Sequence, residues 1–104
     1  MPEFCINVIA RRALVRFWTL HLSAQAPLCA WHVLASRAWW RTPQDVKAQF
    51  GSNVDFLADY RTIFDIDGNK YRLIVRISYA YKAVLIRFVG THAEYDRIDP
   101  EQVS

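Results

Sequence analysis

The sequence is poor in glycine, proline and cysteine. It contains three Gly, four Pro and two Cys, whereas apolar residues make up 53% of its 104 residues. This composition excludes a disordered or collagen-like chain. The length favours one folded domain over residues 1 to 104. Cys5 and Cys29 lie far apart without a CxxC metal spacing, so we expect both to be reduced and to pack as small apolar side chains.

Long apolar runs are also missing. No stretch approaches the roughly 20 apolar residues that span a bilayer. The opening MPEFCINVIARR lacks the charge order of a secretory signal, so we expect a cytoplasmic protein without a membrane partner. Charge of one sign is only slightly in excess, with 13 Lys and Arg against 10 Asp and Glu. Ten of these cations are arginine, whose planar guanidinium group favours an anionic partner.

Helical periodicity marks the first half of the chain. Leu14, Phe17, Trp18 and His21 follow the i, i+3, i+4, i+7 spacing of an amphipathic helix that begins near Arg11. A second helix is predicted in SAQAPLCAWHVLASRAWW. Its expected buried face consists of Leu28, Trp31, Leu34, Ala35, Ala38 and Trp39.

A third, shorter helix is predicted in TPQDVKAQF. Thr42 is a suitable N-cap, Pro43 suits the first helical position, Asp45 falls in the first turn, and the helix should end before Gly51. The β-branched run CINVIA predicts a short first strand. The segment from Ser52 to Asp59 is predicted to be a loop.

Two strand patterns, RTIFDI and NKYRLIVRISY, flank the dipeptide Asp67-Gly68. This dipeptide is typical of a two-residue hairpin with positive φ at both positions. Such a turn would set Ile66 opposite Asn69 and Phe64 opposite Tyr71. The alternation then assigns one side of the hairpin to the core: Phe64, Ile66, Tyr71, Leu73, Val75 and Ile77.

A second turn, at Tyr81-Lys82, would extend this apolar side along the next strand. It would set Val84 opposite Tyr79, Ile86 opposite Ile77 and Phe88 opposite Val75. The same pairing would place Arg87 opposite Arg76.

The other side of these strands then collects cations. Its basic residues are Arg61, Lys70, Arg72, Arg76 and Arg87, interleaved with Ile63, Ile74, Leu85 and Val89. Like charges that face each other across strands are unfavourable unless an anion relieves them. A solvated face, with Asp65 paired to Lys70 or Arg72, is the alternative. For five cations together we favour an anion-binding groove.

The segment THAEYD follows the last strand. Thr91 and Glu94 have the spacing of a capping box, which gives both a structural role. His92 and Tyr95 remain, three residues apart on one helical face and beside Arg72 if the strands pair as predicted. The start of this turn should also favour a bound phosphate through its amides.

These side chains match the needs of RNA cleavage by the RNA's own 2′-OH. That reaction requires a proton acceptor, a proton donor and cations around the phosphate, roles that His92, Tyr95 and the arginines can fill. The alternative is that His92 and Tyr95 only close the end of the core. His21, His32 and His92 have no zinc spacing such as HExxH, so we expect no metal and no cofactor.

The stretch FDIDGNKYRLIVRISYAYKAVLIRFVGTHAEYD resembles the HigB toxin family of the RelE superfamily. The residues that carry the resemblance are Phe64, Gly68 to Leu73, Ile86 to Phe88 and Gly90 to Asp96. Upstream, VIARRALVRFW, PLCAW and WWRTPQDVKAQF are also similar to the family. The resemblance extends from about Val8 to Ile98.

The resemblance implies an α+β, RelE-like fold with two N-terminal helices on a small antiparallel sheet and a short C-terminal helical turn. It implies metal-free cleavage of mRNA on the translating ribosome. It also implies neutralisation by a HigA-type helix-turn-helix antitoxin, whose complex with the toxin binds operator DNA.

The family's roles transfer to matching positions of this sequence. Arg72 and Arg87 would bind the scissile phosphate, and His92 and Tyr95 would transfer protons, with Asp96 as a further candidate. The residues that would lend charge to RNA binding are Arg61, Lys70 and Arg76. Two alternatives stay open: a non-catalytic module that binds RNA or the ribosome, and a scaffold whose basic face docks only an acidic antitoxin.

Overall fold

The computed structural model describes residues 7–68 and 70–99. Within these residues the elements are β1 (Asn7–Ile9), α1 (Arg11–Leu20), α2 (Gln25–Ser36), α3 (Pro43–Phe50), β2 (Val54–Phe56), β3 (Arg61–Ile66), β4 (Tyr71–Ser78), β5 (Ala83–Thr91) and α4 (His92–Tyr95). The five strands form one sheet in the order β1-β5-β4-β3-β2. The α+β class predicted from the sequence is confirmed.

The sheet is mixed, because β1 runs parallel to β5 whereas the other neighbours are antiparallel. The expected antiparallel arrangement is therefore present in β2 to β5, and β1 is the exception. The predicted first strand is present from Asn7 to Ile9. Its earlier part, together with Cys5, lies outside the described residues.

The first helix buries the face that its periodicity predicted. Leu14, Phe17 and Trp18 of α1 are buried, and α1 contacts β5. Helix α2 buries Leu28 and Trp31 and contacts β3. Apolar side chains from both helices thus join the core on one side of the sheet.

The predicted buried face of α2 was wrong at two positions. Leu34 is 47% exposed and Trp39 is 53% exposed, whereas Trp40 is only 2% exposed. Helix α2 ends at Ser36, so the helical spacing no longer decides which tryptophan points inward. Ala35 and Ala38 are buried as predicted.

Helix α3 begins and ends as predicted. Its first turn is capped by Asp45, whose Oδ2 accepts hydrogen bonds from the amides of Arg41 (2.8 Å) and Thr42 (3.2 Å). The predicted loop after it was partly wrong, because β2 lies within that segment and pairs with β3. A strand of three residues is too short for its alternation to be recognised in a sequence.

The hairpin between β3 and β4 has the predicted faces but a different register. Ile66 pairs with Tyr71 and Phe64 with Leu73, so the connection has four residues and the predicted two-residue loop was wrong. The predicted partner Asn69 lies outside the described residues. Asp67 and Gly68 both adopt the expected positive φ. A shift by two residues keeps every side chain on its face, so the predicted core set is buried.

The pairing of β4 with β5 departs further from the prediction. Val84 pairs with Ile77, and Ile86 pairs with Val75. A bulge then follows, so that Ile74 pairs with Phe88 and Leu73 with Val89. The three predicted pairs of this hairpin were wrong. Val89 consequently packs against the core, and Phe88 moves to the opposite side of the sheet.

Candidate active site at the C-terminal turn

The turn after β5 is held by the predicted capping box. The amide of Thr91 donates to Oε1 of Glu94 (2.8 Å), and the amide of Glu94 donates to Oγ1 of Thr91 (3.2 Å). The amide of His92 donates to the carbonyl oxygen of Lys70 at 3.0 Å, which attaches α4 to the β3–β4 turn. Because these first amides already have partners, the expected phosphate site at the start of α4 is not supported.

Gly90 allows α4 to lie close to β5. A Cβ atom at this position would lie 2.5 Å from Cζ of Phe88 and 3.2 Å from Oε1 of Glu94. The ring of Phe88 and the capping carboxylate therefore occupy the space that any larger residue would need. Glycine here fixes the start of α4 against the strand.

Arg72 and Tyr95 come together at this end of the sheet. The guanidinium carbon of Arg72 lies 5.6 Å from the centroid of the Tyr95 ring, within the range of a cation–π interaction. Nε of Arg72 lies 3.2 Å from Oδ1 of Asp65 on the neighbouring strand, and the Arg72 side chain is only 12% exposed. The first contact was predicted from the strand faces, whereas the second is one of the two pairings of Asp65 that the alternative of a solvated face named. They orient the guanidinium group between a phenol ring and a carboxylate.

The phenol of Tyr95 is a proton donor at neutral pH. Burial raises the pKa of Tyr95 above its ordinary value, whereas the positive charge of Arg72 lowers it. Asp55, Asp65 and Asp96 raise the same pKa because a second negative charge nearby would be repelled. The protonated phenol is therefore the stable form beside the arginine.

His92 pairs with Asp96 one turn later. Nδ1 of His92 lies 3.1 Å from Oδ2 of Asp96, and the two side chains are 43% and 60% exposed. With its proton on Nδ1, the imidazole donates to the carboxylate, and Nε2 is then the nitrogen that can accept a proton. This geometry suits a proton acceptor whose orientation is set by a carboxylate.

The remaining cations are more strongly paired than the sequence suggested. Arg61 and Arg76 face each other across β3 and β4. Nη2 of Arg76 lies 3.0 Å from Oδ1 of Asp59. Nζ of Lys70 lies 3.6 Å from Oδ2 of Asp67. Carboxylates that the prediction did not include thus accompany these cations, because the aspartates come from turns that the strand alternation does not place.

One of these cations also differs from its predicted position in the sheet. Lys70 lies in the β3–β4 turn and not on the strand face. Arg76 follows Arg72 by four strand residues, which corresponds to about 13 Å along β4. Arg61 and Arg76 are therefore remote from Tyr95, although they share a sheet face with Arg72.

Arg87 falls at the bulge in β5. Leu85, not Arg87, pairs with Arg76, so the predicted opposition of the two arginines was wrong. Arg87 borders a shallow depression together with Ala13 and Arg16 of α1. Its Nε is buried and forms no hydrogen bond with any residue in the ranges 7–68 and 70–99. The error arises because the β4–β5 connection has four residues, 79 to 82, where two were predicted, and the bulge lies beyond this pair.

Within the described part of the chain, no group of three or more His, Cys, Asp or Glu side chains is placed to hold a metal ion. The helices of that part are all too short or too polar to cross a bilayer.

Comparison with known proteins identifies a family model that matches this chain. The family model HigB_toxin, described as the RelE-like toxic component of a toxin-antitoxin system, matches residues 24–98. The chain is also similar to the mRNA interferase toxin HigB of Escherichia coli and to the mRNA interferase HigB of Shigella flexneri. Each is 31% identical over 62 residues, which cover 59% of this chain and 60% of the relative. The alignment thus spans less than two thirds of these relatives' length.

Proposed function

The chain belongs to the HigB toxin family, the RelE-like toxic component of a toxin-antitoxin system, and from this premise we propose that it is an mRNA endoribonuclease. It acts in the cytoplasm and cleaves messages on the translating ribosome. Its fold is RelE-like, with α1 and α2 as the two N-terminal helices and α4 as the C-terminal turn. The contact of Arg72 with both Tyr95 and Asp65 carries the proposal, because it places a fixed guanidinium group beside a protonated phenol.

Cleavage begins at the ribose 2′-OH. Nε2 of His92 accepts the proton of this hydroxyl while Asp96 holds the ring through Nδ1. The 2′-oxygen then attacks the adjacent phosphorus, and the bond from phosphorus to the 5′-oxygen of the next nucleotide breaks. The products are a 2′,3′-cyclic phosphate and a 5′-hydroxyl end.

Tyr95 donates the proton that the leaving 5′-oxygen needs, consistent with its raised pKa. Arg72 neutralises the charge that builds up on the phosphate oxygens, since a positioned cation stabilises the transition state more than the ground state. Arg87 adds a further positive charge from the bulge in β5. These roles need no metal ion.

The remaining cations bind the RNA on either side of the cleavage point. Lys70 lies beside α4, whereas Arg61 and Arg76 lie further along the same sheet face. Their contribution is electrostatic and independent of sequence. In the cell, we propose that a HigA-type helix-turn-helix antitoxin neutralises the protein and that the complex binds operator DNA through the antitoxin.

Induced expression tests this proposal. The wild-type protein should stop growth and produce new RNA 5′-hydroxyl ends within messages. His92→Ala and Tyr95→Phe should each lower the rate of their appearance by about 10²- to 10⁴-fold, the usual range for a general acid or base. Arg72→Gln should do the same, whereas Arg12→Gln, the same change at an exposed position of α1, should not.

Two outcomes contradict the proposal in different ways. New RNA ends that persist in the double variant His92→Ala, Tyr95→Phe would exclude the proton-transfer roles. Growth arrest by the wild-type protein without any new RNA ends would instead favour the non-catalytic RNA-binding or ribosome-binding module.

A further inference from the structure

A cleft lies beside the end of β4 that is remote from Tyr95. Its volume of about 790 Å³ is that of a site for a small ligand. The residues that give it its chemical character are Arg41, Tyr60, Arg76, Tyr79, Tyr81 and Leu85. The cleft thus combines aliphatic, aromatic and cationic side chains, and the described residues that line it include no carboxylate.

The tyrosines present large exposed rings to this cleft. Tyr60 is 64% exposed and Tyr81 is 86% exposed. The centroids of the Tyr60 and Tyr79 rings lie 6.4 Å apart at an interplanar angle of 63°, so the less exposed Tyr79 supports Tyr60 from the side. Exposed aromatic rings of this kind are the usual stacking platforms for unpaired nucleobases.

The backbone at Tyr60 is strained. Asp59 and Tyr60 both have φ of +61°, in the turn that joins β2 to β3. Glycine or asparagine usually occupies such positions, because a side chain there has a steric cost. The chain instead keeps a large ring at this position, which is how strain is commonly retained where a side chain has a function.

Two arginines flank the rings. Arg76 is oriented by Asp59, which accepts hydrogen bonds from Nη2 through Oδ1 (3.0 Å) and from Nε through its carbonyl oxygen (3.3 Å). Arg41 is exposed, also lines the cleft and lies two residues before the start of α3. The combination of guanidinium groups and aromatic rings matches the two parts of a nucleotide, the phosphate and the base.

We propose that this cleft binds one nucleotide of single-stranded RNA, with its base stacked on the exposed tyrosine rings and its phosphate at Arg41 and Arg76. The inference rests on the proposed function, because it assumes that RNA lies on this sheet. Arg76 is about 13 Å from Arg72 along β4. The bound nucleotide would therefore lie about four stacked nucleotides from the cleavage point, at about 3.4 Å per nucleotide.

Binding of an uncleavable probe tests the cleft separately from cleavage. The probe is a single-stranded RNA decamer with 2′-O-methyl groups throughout, and its affinity is measured by fluorescence anisotropy. Tyr60→Gly should weaken binding by about 5- to 150-fold, the range found for the loss of one stacking ring. Glycine also relieves the positive φ, so this variant should be at least as thermally stable as the wild type, and weaker binding would not reflect unfolding.

Three further variants separate the contribution of the aromatic ring from that of the arginine charge. Tyr60→Phe keeps the stacking surface and should restore the affinity lost in Tyr60→Gly. Arg41→Gln should reduce by about one the slope of log affinity against log salt, as expected for one phosphate contact. Arg12→Gln makes the same change of charge on α1 and should leave that slope unchanged.

Failure of the cleft and failure of the nuclease proposal give different results. The proposal that the cleft binds RNA is overturned if a folded Tyr60→Gly variant binds the decamer as tightly as the wild type. It is also overturned if the wild-type protein does not bind the decamer. Loss of antitoxin affinity in Tyr60→Gly with unchanged RNA affinity would assign the cleft to a protein partner and also overturn it. Weakened decamer binding, in a protein that produces no new RNA ends in cells, would uphold the cleft and reject the nuclease.

Discussion

Adjacent tryptophans provide a sharp test of the packing. Trp40 is 2% exposed, packs against Phe50 and Phe64, and donates a hydrogen bond from Nε1 to Oε1 of Gln49 at 2.9 Å. Trp39 is 53% exposed. The sequence pattern places Trp39 in the core, whereas the structure places Trp40 there. Replacing each in turn by alanine distinguishes the two arrangements.

The expected losses of stability follow from buried area. A buried tryptophan removes about 200 Å² from water, which at about 25 cal/mol per Å² corresponds to about 5 kcal/mol. Mutational data for such residues give about 3–5 kcal/mol, so we expect about 4 kcal/mol for Trp40→Ala. Trp39 buries slightly less than half of its surface, so Trp39→Ala should cost about 2 kcal/mol or less.

Urea unfolding followed by far-ultraviolet circular dichroism measures both losses. Domains of this size have a total stability of about 5–15 kcal/mol, so Trp40→Ala could leave too little folded protein to measure. Trp40→Phe and Trp39→Phe repeat the comparison with smaller losses. Equal losses at the two positions, or a larger loss at Trp39, would refute the arrangement of residues 37–42 described above.

Two further predictions concern Gly90 and Tyr79. Gly90→Ala forces the Phe88 ring and the Glu94 cap to move, so it should cost about 1–3 kcal/mol in urea unfolding; an unchanged midpoint would show that α4 does not depend on this close approach. Burial, assisted by Asp45, raises the pKa of Tyr79 from 10.0 to about 12. Its contribution to stability is therefore complete below pH 10 and is lost as the pH rises towards 12. Tyr79→Phe should make unfolding midpoints fall less steeply between pH 10 and 12, and an unchanged slope would contradict the assignment.

Local features of the fold were predictable from the sequence. The capping of α3 by Asp45 and of α4 by Thr91 and Glu94 depends on residues three or four positions apart. Such contacts form within a single turn and leave a recognisable spacing. The contact of Arg72 with Tyr95 was also predictable from the sequence, because it requires only that each strand residue is assigned to the correct face.

Features that depend on pairing between strands were not predictable in the same way. The β3–β4 loop has four residues where two were expected, but the face assignment survived because the shift was even. The bulge at Arg87 is an odd shift, so it reversed the faces of Phe88 and Val89. No residue type in this segment signals a bulge, since its cause is the fit of two strands to each other.

The aspartates beside the arginines determine what this sheet face can bind. Asp65 already forms an ion pair with Arg72, and Asp59 forms one with Arg76. A ligand with a single weak negative charge therefore gains little electrostatic energy by approaching either arginine. An RNA strand carries a phosphate at every nucleotide and can engage both arginines at once, which makes the second contact effectively intramolecular. The same aspartates hold the guanidinium groups in fixed orientations, so less side-chain entropy is lost when a phosphate binds. Under the proposed function, pairing with carboxylates therefore disfavours small anions more than it disfavours a polyanion whose phosphates match the spacing of Arg72 and Arg76.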